Sequence, residues 1–327
     1  MSDICTIFQA TERYVRTVEK ARSSNTVKTY RNGLRRFLDT LYQHKIHPER
    51  TPITDLREDS IAWLADALKL ESPSTERLYL TAVSGFFQYL AAENLAEINL
   101  PRVRLLIRQR SRRPGVRLPQ FPKEDIEKVL KFVSELNCLI TDDESEKLRN
   151  MRDRAFLLTL ADTGLRVHEA CGLRRGDVDW HESRAIVIGK GDKQAVVRFS
   201  RRSQSALKEY LQMRSHLDGS SGKPLGSLPL FARHDKGAGK KVKPITTTTG
   251  RNIVSDRVTQ CLGLESVGRI TPHSFRHYFV TRVLQGSGNL KLAQELARHS
   301  NIAVTQRYAH LNDDELDKGY WDVFEEE

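Results

Sequence analysis

"MRDRAFLLTLADTGLRVHEACGL", residues 151–173, followed by "SRAIVIGKGDKQAVVRFS", residues 183–200, decides the fold class. The first stretch is an apolar helix that breaks at Thr163-Gly164 and resumes as a second, short helix. The second has two runs rich in β-branched residues around Gly189 and Gly191, the pattern of a β-hairpin. Helices interrupted by one hairpin predict a region that is mainly α with a small β-sheet.

Working outward, the first hundred residues read as helices. "SSNTVKTYRNGLRRFLDTLYQHKI" sets Val27, Tyr30, Leu34, Phe37, Leu38 and Leu41 on one stripe, with Ser24 or Asn25 as the expected cap. "ITDLREDSIAWLADAL" and "STERLYLTAVSGFFQYLAAENL" repeat the pattern, with Ile61, Leu64 and Leu68 on one helix and Leu80, Val83, Phe86, Phe87 and Leu90 on the other. Residues 1–108 are therefore expected to form a small helical bundle. The next stretch, "PRVRLLIRQRSRRPGVRLP", carries Arg102, Arg104, Arg108, Arg110, Arg112, Arg113 and Arg117 without an acidic residue. With Pro114-Gly115 and Pro119 it reads as a basic linker, placed at 109–120. Its arginines suit a phosphate backbone, although a like-charge run also extends into water unaided. Residues 121–327 make the second, mixed region, with a glycine- and lysine-rich loop in "RHDKGAGKKVKPITTTTG".

A chain of 327 residues holds two domains with separate cores. Its net charge of +11 and pI of about 9.5, with only 7% aromatic residues, point to a polyanionic partner, nucleic acid before anionic membrane. No apolar run approaches the roughly 20 residues that span a bilayer, and the N-terminus lacks the long apolar stretch of a signal peptide. The expectation is a cytoplasmic, nucleoid-associated chain with no membrane partner. Cys5, Cys138, Cys171 and Cys261 are scattered without a CxxC pair, and His168-Glu169-Ala170-Cys171 lacks the second histidine of a zinc helix. Neither a disulfide framework nor a metal or other cofactor is expected.

The reactive candidates lie in the second region. "ARHSNIAVTQRYAHL", residues 297–311, places His299 nine positions before Tyr308. A phenol with a reference pKa near 10 attacks poorly at pH 7, so it needs a base or a cationic field. A phosphodiester under attack gathers negative charge that guanidinium forks match, and its leaving alkoxide needs a proton. "TPHSFRHYFVTRVL" supplies His273 and Arg276 in a first helical turn behind Thr271 and Pro272, with Phe275, Phe279 and Val283 expected toward the core. "DTGLRVHEACGL" supplies Arg166, with Glu169 one turn on to hold its guanidinium. The hairpin supplies Lys190 between two glycines, with Lys193 as its rival.

Read together, this order resembles the tyrosine recombinase, or phage integrase, family. Its pattern is an arginine in a "TGLR" turn followed by glutamate, a lysine in a glycine-flanked hairpin, a HxxR helix, a late histidine or tryptophan, and a tyrosine nine residues beyond. Here these positions are Arg166 with Glu169, Lys190 in preference to Lys193, His273 with Arg276, His299 and Tyr308. The chain is most similar in kind to the compact Xer-type members. The resemblance implies a helical, SAM-like core-binding domain at 1–108 and an α+β catalytic domain at 121–327. It implies strand cleavage through a 3′-phosphotyrosine, with Arg166 and Arg276 on the non-bridging oxygens, Lys190 as acid, His273 as base and His299 on the phosphate. It also implies double-stranded DNA with paired inverted half-sites and a homotetramer on two such sites, with room for an accessory protein. The acidic tail "LNDDELDKGYWDVFEEE", with Leu316, Tyr320, Trp321 and Phe324, would dock on a neighbouring subunit. Two departures stand out. The glycine usual before the late histidine is Arg298 here, and the chain is long for a Xer-type member, the loop at 236–243 being the candidate for the excess. Two rival readings share the basic charge: a non-catalytic DNA-binding factor, and a relaxing topoisomerase with the same chemistry.

Overall fold

The computed structural model describes residues 5–112, 122–189, 194–235, 237, 241–299, 302 and 305. The chain divides into two compact units, Met1–Arg117 and Leu118–Glu327, each with its own apolar core.

The first unit is built from helices α1 (Ile7–Ala21), α2 (Ser24–Gln43), α3 (Asp59–Ala67), α4 (Pro73–Ala92) and α5 (Leu100–Arg110). Thr6 and Gln9 form a reciprocal capping box at the start of α1. The cap of α2 is Ser23, one residue before the expected pair, because its hydroxyl is the one that reaches the Thr26 N–H. The apolar stripes point inward as their spacing requires: Leu34, Phe37 and Leu41 of α2 meet Leu80, Val83, Phe86, Phe87 and Leu90 of α4 in one buried cluster. Gly33 marks their closest approach, since a Cβ there would lie 3.1 Å from the Tyr79 Cα.

The arginine-rich stretch differs from the linker reading in its first part. Residues 100–110 continue the bundle as α5, capped by Asn99 and started by Pro101, with Val103 buried against the core. Leu100, Leu106 and Ile107 pack partly buried beside it, so one apolar face docks a helix whose other faces are basic. Glu76, 1% exposed, then anchors the chain beyond α5: its carboxylate accepts the Arg112 backbone N–H at 2.8 Å and its Nε at 2.5 Å.

The second unit contains α6 (Lys123–Ser134), α7 (Glu144–Thr163), α8 (Val167–Gly172), β1 (Val178–Asp179), β2 (Arg184–Ile188), β3 (Gln194–Arg198), α9 (Arg201–Met213), α10 (Ser215–Gly219), α11 (Thr247–Leu262), α12 (Pro272–Ser287) and α13 (Leu290–Ala297). The expected hairpin is present: β2 and β3 pair antiparallel, with Ile186 opposite Val196. The two-residue β1 adds an outer strand on β2. The sheet turns Ala185, Val187 and Val197 into the core, alternating as a half-buried strand must. The basic loop is closed at its base by an Arg233 N–H bond to the Lys243 carbonyl. Buried α7 carries Phe156, Leu157, Leu158 and Leu160 and packs against α6, α9 and α12. Arg257 of α11 ties back to it through Asp153 and Asn150. No helix among the described residues is long and apolar enough to cross a membrane.

Replacing Glu76 by alanine strands the charge-assisted bonds of Arg112, each of a kind worth roughly 1.5–3 kcal/mol. The variant is expected to lose about 2–3 kcal/mol in chemical denaturation, whereas Asp66→Ala, which breaks only exposed pairs with Lys69 and Arg110, should lose about 1 kcal/mol or less.

Candidate active site

The site begins at the end of α7. Gly164 closes that helix with φ 61° and ψ 21°, a left-handed conformation suited to glycine. A Cβ at this position would stand 2.4 Å from the Phe279 ring, so side-chain size as well as backbone shape selects glycine. Two residues on, Arg166 caps α8. Its backbone N–H donates to Glu169 Oε2 at 2.9 Å and its Nη1 to Oε1 at 2.8 Å, the expected glutamate tether.

Helix α12 starts as the sequence suggests, with Thr271 as N-cap, Pro272 in the first turn, and the Thr271 N–H donating to Ser274 Oγ. His273 and Arg276 follow in that turn. Phe275 is fully buried in the main core, but Phe279 and Val283 pack beside a smaller cluster of Val280, Leu284, Ala293 and Ala297 that joins α12 to α13. The buried face of α12 is thus shared between two clusters instead of following one four-residue stripe.

Arg276 is only 2% exposed. Its Nη1 donates to the Gly164 carbonyl at 2.5 Å and its Nη2 to the Ala297 carbonyl. Both acceptors are carbonyls at helix C-termini, which would otherwise be short of partners and favour a cation. One guanidinium therefore joins the turn before Arg166 to the turn before His299.

The last turn of α13 ends on Arg298, which adopts φ 58° and ψ 44° at the C-cap. A non-glycine residue there costs roughly 1–2 kcal/mol. The Arg298 side chain reaches across to Glu169, with Nη2 2.9 Å from Oε2. His299 is bracketed by Gln294, whose carbonyl accepts the His299 N–H and whose amide donates to the His299 carbonyl, both at 3.1 Å. Its Nδ1 lies 3.0 Å from the hydroxyl of buried Thr305.

An open cleft is lined by Arg166, His273 and Arg276 together with Arg251, Asn252 and Ser255 of α11. Sequence reasoning missed the α11 trio, since "GRNIVSDR" carries no local signature. Gln294 and Thr305 were missed as well. Thr305 stands three residues before Tyr308, a spacing that hinted at one helical face.

Electrostatics in the cluster are one-sided. Burial lowers the His273 pKa, with Arg276 and Arg166 adding to the effect. Burial, then Arg276 and Arg166, push His299 down to about 4, and burial with His273 as neighbour does the same to His277. Near neutral pH these imidazoles are uncharged, so His273 and His299 can accept protons or hydrogen bonds. Burial alone would raise the Glu169 carboxyl, but the Arg166 backbone N–H, the Arg298 charge and the Arg166 guanidinium bring it below its ordinary value. Among the described residues no group of three or more His, Cys, Asp or Glu is arranged to hold a metal ion.

Lys190, Lys193, Tyr308, Arg113 and Arg117 lie outside the described residues. The remaining arginines of the basic stretch separate into two sets. Arg102 pairs with Asp59 at 2.8 Å and Arg110 with Asp66 at 3.4 Å. Arg112, expected on a DNA phosphate, is bound by buried Glu76 and the Leu68 and Glu71 carbonyls, because that carboxylate needs a cation, and it also lines the same groove as Arg104 and Arg108. Arg104 and Arg108 line a surface groove of the first unit with Tyr30, Arg77 and Gln88.

Comparison with known proteins gives a consistent result. A model described as the phage integrase family matches residues 121–315, and one for the phage integrase N-terminal SAM-like domain matches residues 12–94. The tyrosine recombinase XerC of Thermodesulfovibrio yellowstonii is 30% identical over 298 residues, covering 90% of this chain and 88% of the relative. The XerD recombinase of Mycobacterium tuberculosis is 30% identical over 305 residues, covering 89% of each. In fold, the chain is similar to XerH site-specific recombinase bound to palindromic difH substrate, with a TM-score of 0.69, 20% identity and coverage of 98% and 86%. It is also similar to the Tn1549 transposon integrase in complex with transposon right end DNA, with a TM-score of 0.65, 18% identity and coverage of 97% and 99%.

The depressed histidine pKa values carry a stability consequence. Between pH 6.5 and about 4 the unfolded chain binds protons that folded His277 and His299 refuse. Their stabilisation is complete above pH 6.5 and is lost as pH falls toward 4. Denaturant midpoints should drop over that interval, less so for His299→Asn, and an unchanged midpoint would contradict buried neutral imidazoles.

Proposed function

The chain belongs to the phage integrase, or tyrosine recombinase, family, and we propose that it is a site-specific recombinase that cleaves and rejoins duplex DNA through Tyr308. The observation that carries this reading is the convergence of Arg166, His273, Arg276 and the His299 turn on one electropositive region, with Tyr308 nine residues past His299.

The chemistry follows from what these groups can donate and accept. A phosphate in the cleft receives N–H donors from Arg166 and Arg276, which stabilise the negative charge that grows on its non-bridging oxygens. The phenolic oxygen of Tyr308 forms a bond to phosphorus while the bond to the 5′-oxygen breaks. The phenol proton passes to His273, whose lowered pKa leaves it neutral and able to take it. Lys190 supplies a proton to the departing 5′-oxygen, and His299 donates a hydrogen bond to a non-bridging oxygen. The product is a 3′-phosphotyrosine and a 5′-hydroxyl. Because the diester bond energy is retained, a 5′-hydroxyl from another strand reverses the step without ATP, and the cationic side chains provide the charge stabilisation without calling on a metal ion.

The DNA partner is supported by the net charge of +11 and by the DNA complexes of the XerH and Tn1549 proteins. Paired inverted half-sites, a homotetramer across two sites and a cytoplasmic, nucleoid-associated location complete the proposal. Arg104, Arg108 and Arg77 are the candidate backbone contacts of the first unit, and binding should weaken steeply with salt.

Incubation with supercoiled plasmid and with suicide duplexes of candidate sites tests the reading. The expected result is a covalent protein–DNA adduct that Tyr308→Phe eliminates and Arg166→Ala slows by about 100-fold or more. Binding without any adduct supports a non-catalytic factor instead, and relaxation without sequence preference supports a topoisomerase.

A further inference from the structure

A buried carboxylate between two guanidinium groups is the feature of this site that the scheme above does not use. Glu169, 1% exposed, bonds Arg166 through both oxygens and Arg298 through Oε2. With Arg166 alone the pair would be neutral, and an arginine neutralised by its own tether attracts an anion weakly. With Arg298 the trio carries net charge +1. The two arginines are also unequally placed: the Arg166 side chain is 39% exposed and borders the cleft, whereas Arg298 is 11% exposed.

Arg298 is held where its backbone favours glycine, at φ 58°, so the position is not filled for conformational ease. Its Nε is buried without a hydrogen-bond partner. Both features disfavour the residue locally, and the charge it brings to Glu169 is what offsets them.

We propose that Arg298 is a positioning residue: it takes up the Glu169 carboxylate's charge so that Arg166 stays oriented by that carboxylate while remaining cationic toward a phosphate in the cleft. This rests on the reading of the cleft as a phosphate seat, and it assigns Arg298 no contact with the reacting atoms. Arg298 also contributes to the field on His299, in company with Arg276, Arg166 and His273. A leucine or methionine here would leave Glu169 intact as a tether but cancel Arg166.

The test uses the full chain labelled at histidine nitrogens, with inorganic phosphate as probe and the His273 resonances as reporter. Arg298→Gly suits the backbone and keeps the Arg166–Glu169 pair, so it should fold, and it is expected to bind phosphate about three- to tenfold more weakly than the parent. Its His299 pKa should rise from about 4, a change that a purely packing role would not produce. Arg298→Lys, which keeps the charge, should restore most of the phosphate affinity. Equal affinity in the parent and Arg298→Gly overturns the proposal, as does a loss in Arg298→Lys as large as in Arg298→Gly. A parent that shows no phosphate response at His273 overturns it too. The reading of the whole protein is judged separately, by whether the parent forms a Tyr308-dependent DNA adduct.

Discussion

The guanidinium of Arg276 bonds the carbonyls of Gly164 and Ala297, and most of what makes this site a site depends on that link. The two carbonyls belong to helix ends far apart in sequence, one two residues before Arg166 and the other two residues before His299. Tying Gly164 sets the direction in which the chain enters Arg166, and tying Ala297 sets the turn that delivers Arg298 and His299. A lysine could bond one carbonyl well, but the planar fork of arginine is suited to holding two at once. The same group borders the cleft, so the cation that organises the backbone also lines the proposed phosphate seat.

Around this link the local electrostatics are arranged by burial. Arginines keep their charge when desolvated, whereas histidines beside them lose theirs. His273, His277 and His299 are all shifted downward for that reason, which gives a region whose fixed charge comes from guanidinium groups and whose imidazoles are neutral near pH 7. Glu169 is a carboxylate within it, and its two arginine partners keep it from reversing the sign of the field.

Much of this was legible in the sequence for physical reasons. The helical stripes of α2 and α4 repeat at three- and four-residue steps, and burial follows such steps closely. The β2–β3 hairpin was visible because β-branched runs flank glycines. Arg166 with Glu169, and the capped start of α12, are contacts three residues apart, within reach of a pattern read along the chain. What was not legible is long-range or singular. A two-residue strand such as β1 has no period, and in α5 the few apolar residues are interleaved with arginines, so composition alone reads its stretch as linker. The Arg276 carbonyl bonds join residues more than a hundred positions apart at one end, and no spacing rule reaches that far. Arg298 could be noticed as a departure, yet its partner Glu169, across the fold, could not be inferred from its neighbours.

The most direct measurement is a crystal structure of the full chain with vanadate and a short cleaved duplex, where vanadate mimics the five-coordinate phosphorus. The account predicts the vanadate within hydrogen-bond distance of Arg166, His273 and Arg276, in line with the Tyr308 oxygen, while Arg276 still bonds the Gly164 and Ala297 carbonyls. A vanadate seated elsewhere, or an Arg276 that has left both carbonyls to reach it, would contradict the account.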